Sequence, residues 1–284
     1  MKQQINRLYQ FWIYSNIHIA IIAAALSYES NLILRVNNPE SAPIFVFFST
    51  ILIYNLGYYK AVFSTDVPFR SQARWMSDRP YFWRISMVLS LIAVLVLMPQ
   101  FSLNTIIAYL FFGSISILYV LDDIKVFGLP ISVRRIPYLK VFIVALTWSS
   151  ITIIPQVIDS SFFYDSDNWK FLFIERFLFI LAITLMFDIR DVNVDPSYLK
   201  TIPMSIGIRN TKLLSMILIF VATIGLLGLD INLWQLIGVF VVYSITLVLV
   251  YYSSPDNDDI YYSGLLDGVM GLHVLPFIIF KIIA

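Results

Sequence analysis

"FDIRDVNVDPSYLKTIPMSIG" occupies positions 187–207, and its reading decides the fold. It follows the apolar run "FLFILAITLM" and then abruptly presents Asp188, Asp191 and Asp195. On a helix these positions are i, i+3 and i+7, so the three side chains share one face within ~60° of arc, while Arg190 projects the other way. Pro196 disfavours helical geometry at Asp195, so the helix should end about there. A helix C-terminus carries partial negative charge, and three carboxylates there repel one another unless a cation neutralises them. Ordinary solvated acids would satisfy the same spacing. The functional alternative is a site for a hard divalent cation, because Mg²⁺ is held by one or two carboxylates and completed by substrate phosphates. Such a site would hold a phosphorylated ligand at the membrane surface with its lipid part inside the bundle.

The rest of the chain supplies the membrane. Its 284 residues are 59% hydrophobic and 13% charged, with a mean hydropathy of +0.81. Soluble domains carry about twice that share of charge, so lipid is the indicated solvent. A net charge of +1 excludes a nucleic-acid partner, which requires a basic face. The absence of cysteine excludes disulfides, zinc–thiolate sites and thiol nucleophiles. The first apolar stretch loosely imitates a signal peptide, but Asn16 and His18 interrupt it and many spans follow, so it reads as a retained helix.

A bilayer core of ~30 Å takes ~20 helical residues. Nine stretches qualify: 11–28, 42–59, 83–99, 103–121, 138–157, 169–187, 213–229, 232–252 and 262–282. The expected fold is therefore all-α, a single domain over 1–284 with no extramembrane domain. Spans 1–4 and 5–8 show weak pseudo-symmetry that sets Asn55 against Asp188. Fifteen Lys and Arg residues fall on one side of this topology and only Arg35, Lys170, Arg176 and Lys281 on the other. That asymmetry points to a cytoplasmic N-terminus, an external C-terminus and a plasma (inner) membrane location with the site on the cytoplasmic face.

"FDIRDVNVD", then "LKTIP" and "SIG", resembles the second aspartate motif of the UbiA-type intramembrane prenyltransferases: Asp-x-x-Asp-x-x-x-Asp, a Lys-Thr-apolar-Pro stretch and a Gly. "LPISVRRIPYLKVFIVALTWS" (129–149) is similar to the family's segment between helices four and five. The resemblance implies an Mg²⁺-dependent enzyme that joins a prenyl diphosphate to an aromatic or other lipid acceptor. It implies that Asp188, Asp191 and Asp195 hold the metal, with Arg134, Arg135, Lys140 and Lys200 as candidates for the diphosphate. Arg suits that task as a bidentate fork and Lys as a point charge.

The family's first motif, Asn-Asp-x-x-Asp-x-x-x-Asp, meets "NLGYYKAVF" (55–63) here. Asn55 is kept, but Leu56, Tyr59 and Phe63 stand where the three acids belong, and Asp66 and Asp78 are out of register. Three accounts follow: a transferase using one metal arm plus basic groups such as Lys60, a rearranged loop that borrows Asp66, or a protein that keeps lipid binding without chemistry. Tyr54, Tyr58 and Tyr59 are the rings best positioned to face an allylic cation. Intramembrane charges are functional candidates: Asp267 could join the polar wall of a cavity, His273 reads as a hydrogen-bonded packing residue, and Glu175 with Arg176 as a structural pair. Asn16 and Asn55 read as interhelical hydrogen-bond partners unless they line the cavity.

The leading expectation is an integral-membrane prenyltransferase; the alternative is a non-catalytic isoprenoid- or lipid-binding protein on the same scaffold. A secondary transporter lacks support, since no Gly/Pro-interrupted spans occupy corresponding places in two halves. Orientation is testable because the chain has no cysteine of its own. A single cysteine at Ser77 should react with an impermeant maleimide only from the cytoplasmic side, and one at Ser166 only from the outside. Labelling in the opposite sense would reverse the topology.

Overall fold

A chain in hydrocarbon must satisfy its backbone N–H and C=O groups internally, which helices do segment by segment. The computed structural model follows that constraint, and it describes residues 2–36, 41–63, 71–121, 124–126, 129–131, 136–160, 166–195 and 199–283. From the N-terminus come α1 (Lys2–Tyr14), α2 (Ile17–Leu34), α3 (Ser41–Leu56), and the short α4 (Tyr59–Phe63) and α5 (Ser71–Ser77). The hairpin of α6 (Pro80–Leu97) and α7 (Leu103–Val120) follows, then α8 (Leu139–Val157) and α9 (Asn168–Asp191). The short α10 (Ile202–Ile206) leads into α11 (Ile208–Leu226) and α12 (Leu233–Tyr252). The last span is a π-helical turn (Ile260–Leu266) continued by α13 (Asp267–Leu272) and α14 (Leu275–Ile283). An antiparallel ribbon of two three-residue strands, β1 (Ile124–Val126) and β2 (Leu129–Ile131), sits between α7 and α8.

Seven of these segments are long and apolar enough to cross a membrane. The other two expected spans differ for physical reasons. α3 has 16 residues and stops at the turn through Gly57 and Tyr58. α9 has 24 residues but carries Glu175 and Arg176 in its N-terminal half. The first span also begins at Ile17 rather than at position 11, because Asn16 adopts a left-handed conformation, φ 65°, and separates α1 from α2. Asn tolerates that region better than most residues, and here its side-chain amide donates to Asn55 Oδ1 at 2.7 Å.

Burial sorts the spans into two shells. Ile17–Leu34 and Leu139–Val157 are each 56% buried, whereas Pro80–Gln100 and Leu103–Val120 are each 17% buried and offer their apolar faces outward. α9 belongs to the inner set, packing against α8 and α11, with Leu172, Ile180, Leu185 and Ile189 among its enclosed residues. The helix that carries the acidic trio is thus held on several sides before it reaches the trio.

In the N-terminal half of α9 the charges form a buried network. Arg176 Nη2 lies 2.7 Å from Glu29 Oε2, and Nη1 donates to the Leu26 carbonyl at 3.0 Å, Ser30 Oγ at 2.5 Å and Thr152 Oγ1 at 3.1 Å. His273 bridges two acids, with Nδ1 2.5 Å from Glu29 Oε1 and Nε2 3.3 Å from Glu175 Oε1, while the Tyr243 hydroxyl donates to Glu175. His273 is thus hydrogen-bonded, as expected, and it also bridges two acids. The network ties α2, α8, α9, α12 and the last span together. Removing one partner strands the others in a low dielectric, so Arg176→Met should cost about 3–5 kcal/mol. Thermal unfolding in detergent should show that loss, and Glu29→Leu added to it should recover part of it.

Candidate active site at the mouth of the central cavity

α9 ends at Asp191, and the amides of Val194 and Asp195 fold back onto the Asp191 carbonyl at 2.9 and 2.8 Å. The turn keeps Asp195 beside the other two acids, although the helix itself stops one turn earlier than the spacing suggested. Asp188 and Asp191 are buried. The cation that neutralises them is Lys140, the second residue of α8. Its Nζ lies 2.8 Å from Asp188 Oδ1, 3.5 Å from Asp195 Oδ2 and 3.8 Å from Asp191 Oδ2.

Arg190 does not project away from the trio, as the helical arc alone implied. Its guanidinium folds back onto Asp191 in a two-pronged contact, Nε to Oδ1 at 2.9 Å and Nη2 to Oδ2 at 3.2 Å. It also lies over the Phe187 ring at 4.9 Å and the Tyr262 ring at 5.7 Å. Arginine stacks on aromatic faces in this way because its planar, delocalised cation is weakly hydrated. Two fixed cations thus face three carboxylates.

Do these residues fit a metal ion? Their oxygens are hard donors of the type Mg²⁺ prefers. Among the described residues Asp188 Oδ1 and Asp195 Oδ2 are buried without an aligned hydrogen bond, and Lys140 meets them as a charge. As placed, however, no three Asp, Glu or His side chains among the described residues converge closely enough to share an ion. The donor chemistry fits a divalent cation, and the ammonium of Lys140 stands where that cation would enter.

The end of α3, where the first acidic motif would lie, is built differently. Asn55 is fully buried: its Oδ1 accepts from Asn16, its Nδ2 donates to Ser86 Oγ at 2.9 Å, and its carbonyl accepts from Trp83 Nε1 at 2.7 Å. That amide fastens three helices and does not line the cavity. Tyr59 and Phe63 lie with the Trp83 ring at 6.3 and 5.6 Å, half exposed, where the acids are missing. α5 folds over this end, burying Trp75 and Met76 and sending Gln72 Nε2 to Asn16 Oδ1 at 2.9 Å.

Inside lies a cavity of about 340 Å³. Its polar end is formed by Lys140, Arg190, Asp191, Asn16, Gln72 and Asp267. Its apolar end runs between Ile19, Ala23, Val46, Ile151, Ile180 and Ile183. Tyr54 and Tyr58 line it, joined by Trp148 and Tyr119, whereas Tyr59 does not. Lys60 is exposed on α4 and away from the cavity wall. Lys200 lines a separate shallow depression with Asp195 and Tyr138. Arg134, Arg135 and Asp66 lie outside the described residues. The sequence reading singled out neither Glu29, Gln72 nor the inward turn of Arg190; an acid inside the first apolar run was the available signal for Glu29.

No protein-family model and no curated protein matches the sequence. Solved structures do match the fold. One is a digeranylgeranylglyceryl phosphate synthase, 14% identical, covering 98% of this chain and 100% of its own, with a TM-score of 0.61. Another is the apo structure of a UbiA homologue from Aeropyrum pernix K1, 12% identical, covering 94% and 96%, with a TM-score of 0.59. The chain has the UbiA-type prenyltransferase fold. At such identity the fold is what is shared, and within this UbiA scaffold the acid–lysine cluster and the two-ended cavity are features of the chain's own residues.

Lys140→Met should therefore leave three carboxylates in mutual repulsion, costing about 3–5 kcal/mol in EDTA. If the acids accept a divalent ion, millimolar MgCl₂ should restore much of the lost melting temperature in a thermal-shift assay. A melting temperature indifferent to magnesium would argue against a cation site.

Proposed function

We propose that the chain is an integral-membrane prenyltransferase that takes a polyprenyl diphosphate and a hydrophobic acceptor. The observation that carries this reading is the cavity with a charged mouth and an apolar interior, closed at the mouth by Lys140 among three carboxylates. A prenyl diphosphate has the same polarity along its length. Lys140 and Arg190 offer the diphosphate an ammonium and a guanidinium, and anionic oxygens are strong partners for both. Arg134, Arg135, Lys60 and Lys200 remain basic residues that a bound headgroup could recruit.

In this reading Asp188, Asp191 and Asp195 would hold magnesium, which when bound supplies positive charge to the departing pyrophosphate. The protein's own part is electrostatic. Lys140 exchanges its carboxylate partners for phosphate oxygens, and Arg190, fixed by Asp191 and two rings, stays in place to meet charge as it develops. The Tyr54, Tyr58 and Trp148 rings line the path where an allylic cation would form, and their faces stabilise positive charge while excluding water. The lipid bilayer delivers both substrates laterally, with the site on the cytoplasmic side by the charge asymmetry of the loops.

A second reading has an observation of its own. Leu56, Tyr59 and Phe63 in place of three acids, with Tyr59 and Phe63 lying against Trp83, suit a protein that binds an isoprenoid or other lipid without turning it over. Asp191→Asn separates the two. In nanodiscs supplied with geranylgeranyl diphosphate, MgCl₂ and acceptors, turnover should fall at least about 100-fold. Magnesium-dependent binding with no pyrophosphate release by the wild type, across a broad acceptor panel, would select the binding protein instead.

A further inference from the structure

One carboxylate in the cavity has no task in the account above. Asp267 follows the π-helical turn directly and lines the central cavity together with Ser263. Such turns occur often at functional sites, where they re-aim side chains. No hydrogen bond or ion pair from the described residues reaches the Asp267 carboxylate, which Arg190 influences only as a charge. A carboxylate facing a cavity inside a membrane without a partner is a costly arrangement, and such residues mark functional paths.

The facing helix presents the complementary group. His18, near the start of α2, lines the same cavity. Its Nδ1 accepts from Trp12 Nε1 at 2.9 Å, which assigns the proton of the neutral ring to Nε2. Among the described residues that buried Nε2–H has no aligned hydrogen bond, only a looser approach to the Gly264 backbone, and a Cβ on Gly268 would lie 3.7 Å from it, so the donor sits beside the residue that follows Asp267. An ionised carboxylate only accepts hydrogen bonds, and this imidazole N–H only donates. A hydroxyl satisfies both at once, giving its proton to the acid and taking one from the ring. A carboxylate-bearing acceptor would instead meet Asp267 as a like charge.

We infer that Asp267 and His18 form an acceptor subsite for a neutral, hydroxyl-bearing lipid, an alcohol or a phenol, with Asp267 as the base. The inference rests on the prenyltransferase reading. In the step, the C–O bond between the prenyl carbon and the diphosphate breaks and its electron pair leaves with pyrophosphate. The acceptor oxygen forms the new C–O bond to that carbon, and its proton passes to the Asp267 carboxylate. The products are a prenyl ether, pyrophosphate and one proton, with no oxidant or reductant needed. His18 is a positioning residue that holds the hydroxyl oxygen.

The test uses the full chain in nanodiscs with geranylgeranyl diphosphate and three acceptors: a monoalkylglycerol, a 4-alkylphenol and 4-hydroxybenzoate. The wild type should prenylate the first two in preference to the third. Asp267→Asn should lower kcat with them by about 10²–10⁴-fold while the dissociation constant of geranylgeranyl diphosphate stays within about twofold. Asp267→Glu should recover part of the rate. His18→Phe should raise the acceptor KM about tenfold with the same diphosphate affinity. Wild-type kcat in Asp267→Asn, or preference for the benzoate, would overturn the inference and leave the prenyltransferase reading standing. Binding of geranylgeranyl diphosphate with no product from any acceptor would overturn it as well. Absence of that binding in the wild type would overturn both.

Discussion

Three carboxylates at the end of one helix repel each other, and the ammonium of Lys140 is what allows them to remain together. Its contacts of 2.8, 3.5 and 3.8 Å join the start of α8 to the end of α9, the two central helices that meet at the cavity mouth. Close opposite charges attract strongly at the edge of a low-dielectric interior, so this contact fixes the relative height of the two helices as well as their charge. Arg190 then follows from the same constraint. With one cation serving three acids, Asp191 takes a second, and the guanidinium is drawn back from its helical direction towards the cavity.

The same logic appears in the N-terminal half of α9, where Arg176, Glu29, Glu175 and His273 gather among five helices. There every group is enclosed among packed helices, which suits a fastening, although Glu175 Oε2 and His273 Nε2 also lack aligned hydrogen bonds among the described residues. At the mouth the cluster instead borders an open cavity, which Lys140, Arg190 and Asp191 line. The contrast separates a polar cluster that holds helices from one that can exchange its partner for a ligand. Between them the cavity runs from charge to hydrocarbon, and Asp267 stands in its wall with no hydrogen-bond partner among the described residues.

Much of this was legible in the sequence. The spacing of Asp188, Asp191 and Asp195 put them on one face, and the apolar runs located the helices to within a few residues. What the sequence hid were consequences of three-dimensional company. The break at Asn16 needed Asn55 and Gln72 from distant helices, so the first span starts later than its hydropathy suggests. Arg190 turns inward because Phe187 and Tyr262 offer ring faces that a helical wheel does not display. Lys140 appeared only as one of several basic candidates, since nothing in 129–149 says which cation reaches the acids. Tyr59 was grouped with Tyr54 and Tyr58, yet the turn after α3 carries it out of the cavity.

The central claim is that the acid–lysine cluster is the headgroup end of a prenyl diphosphate site. A cryo-EM structure of the chain in nanodiscs with MgCl₂ and a non-hydrolysable prenyl thiodiphosphate tests it most directly. The account expects the diphosphate within hydrogen-bond distance of Lys140 and Arg190, the chain passing Tyr54 and Trp148, and the contacts of Lys140 with the acids loosened. Ligand density elsewhere on the protein, with Lys140 still locked among Asp188, Asp191 and Asp195, would contradict it.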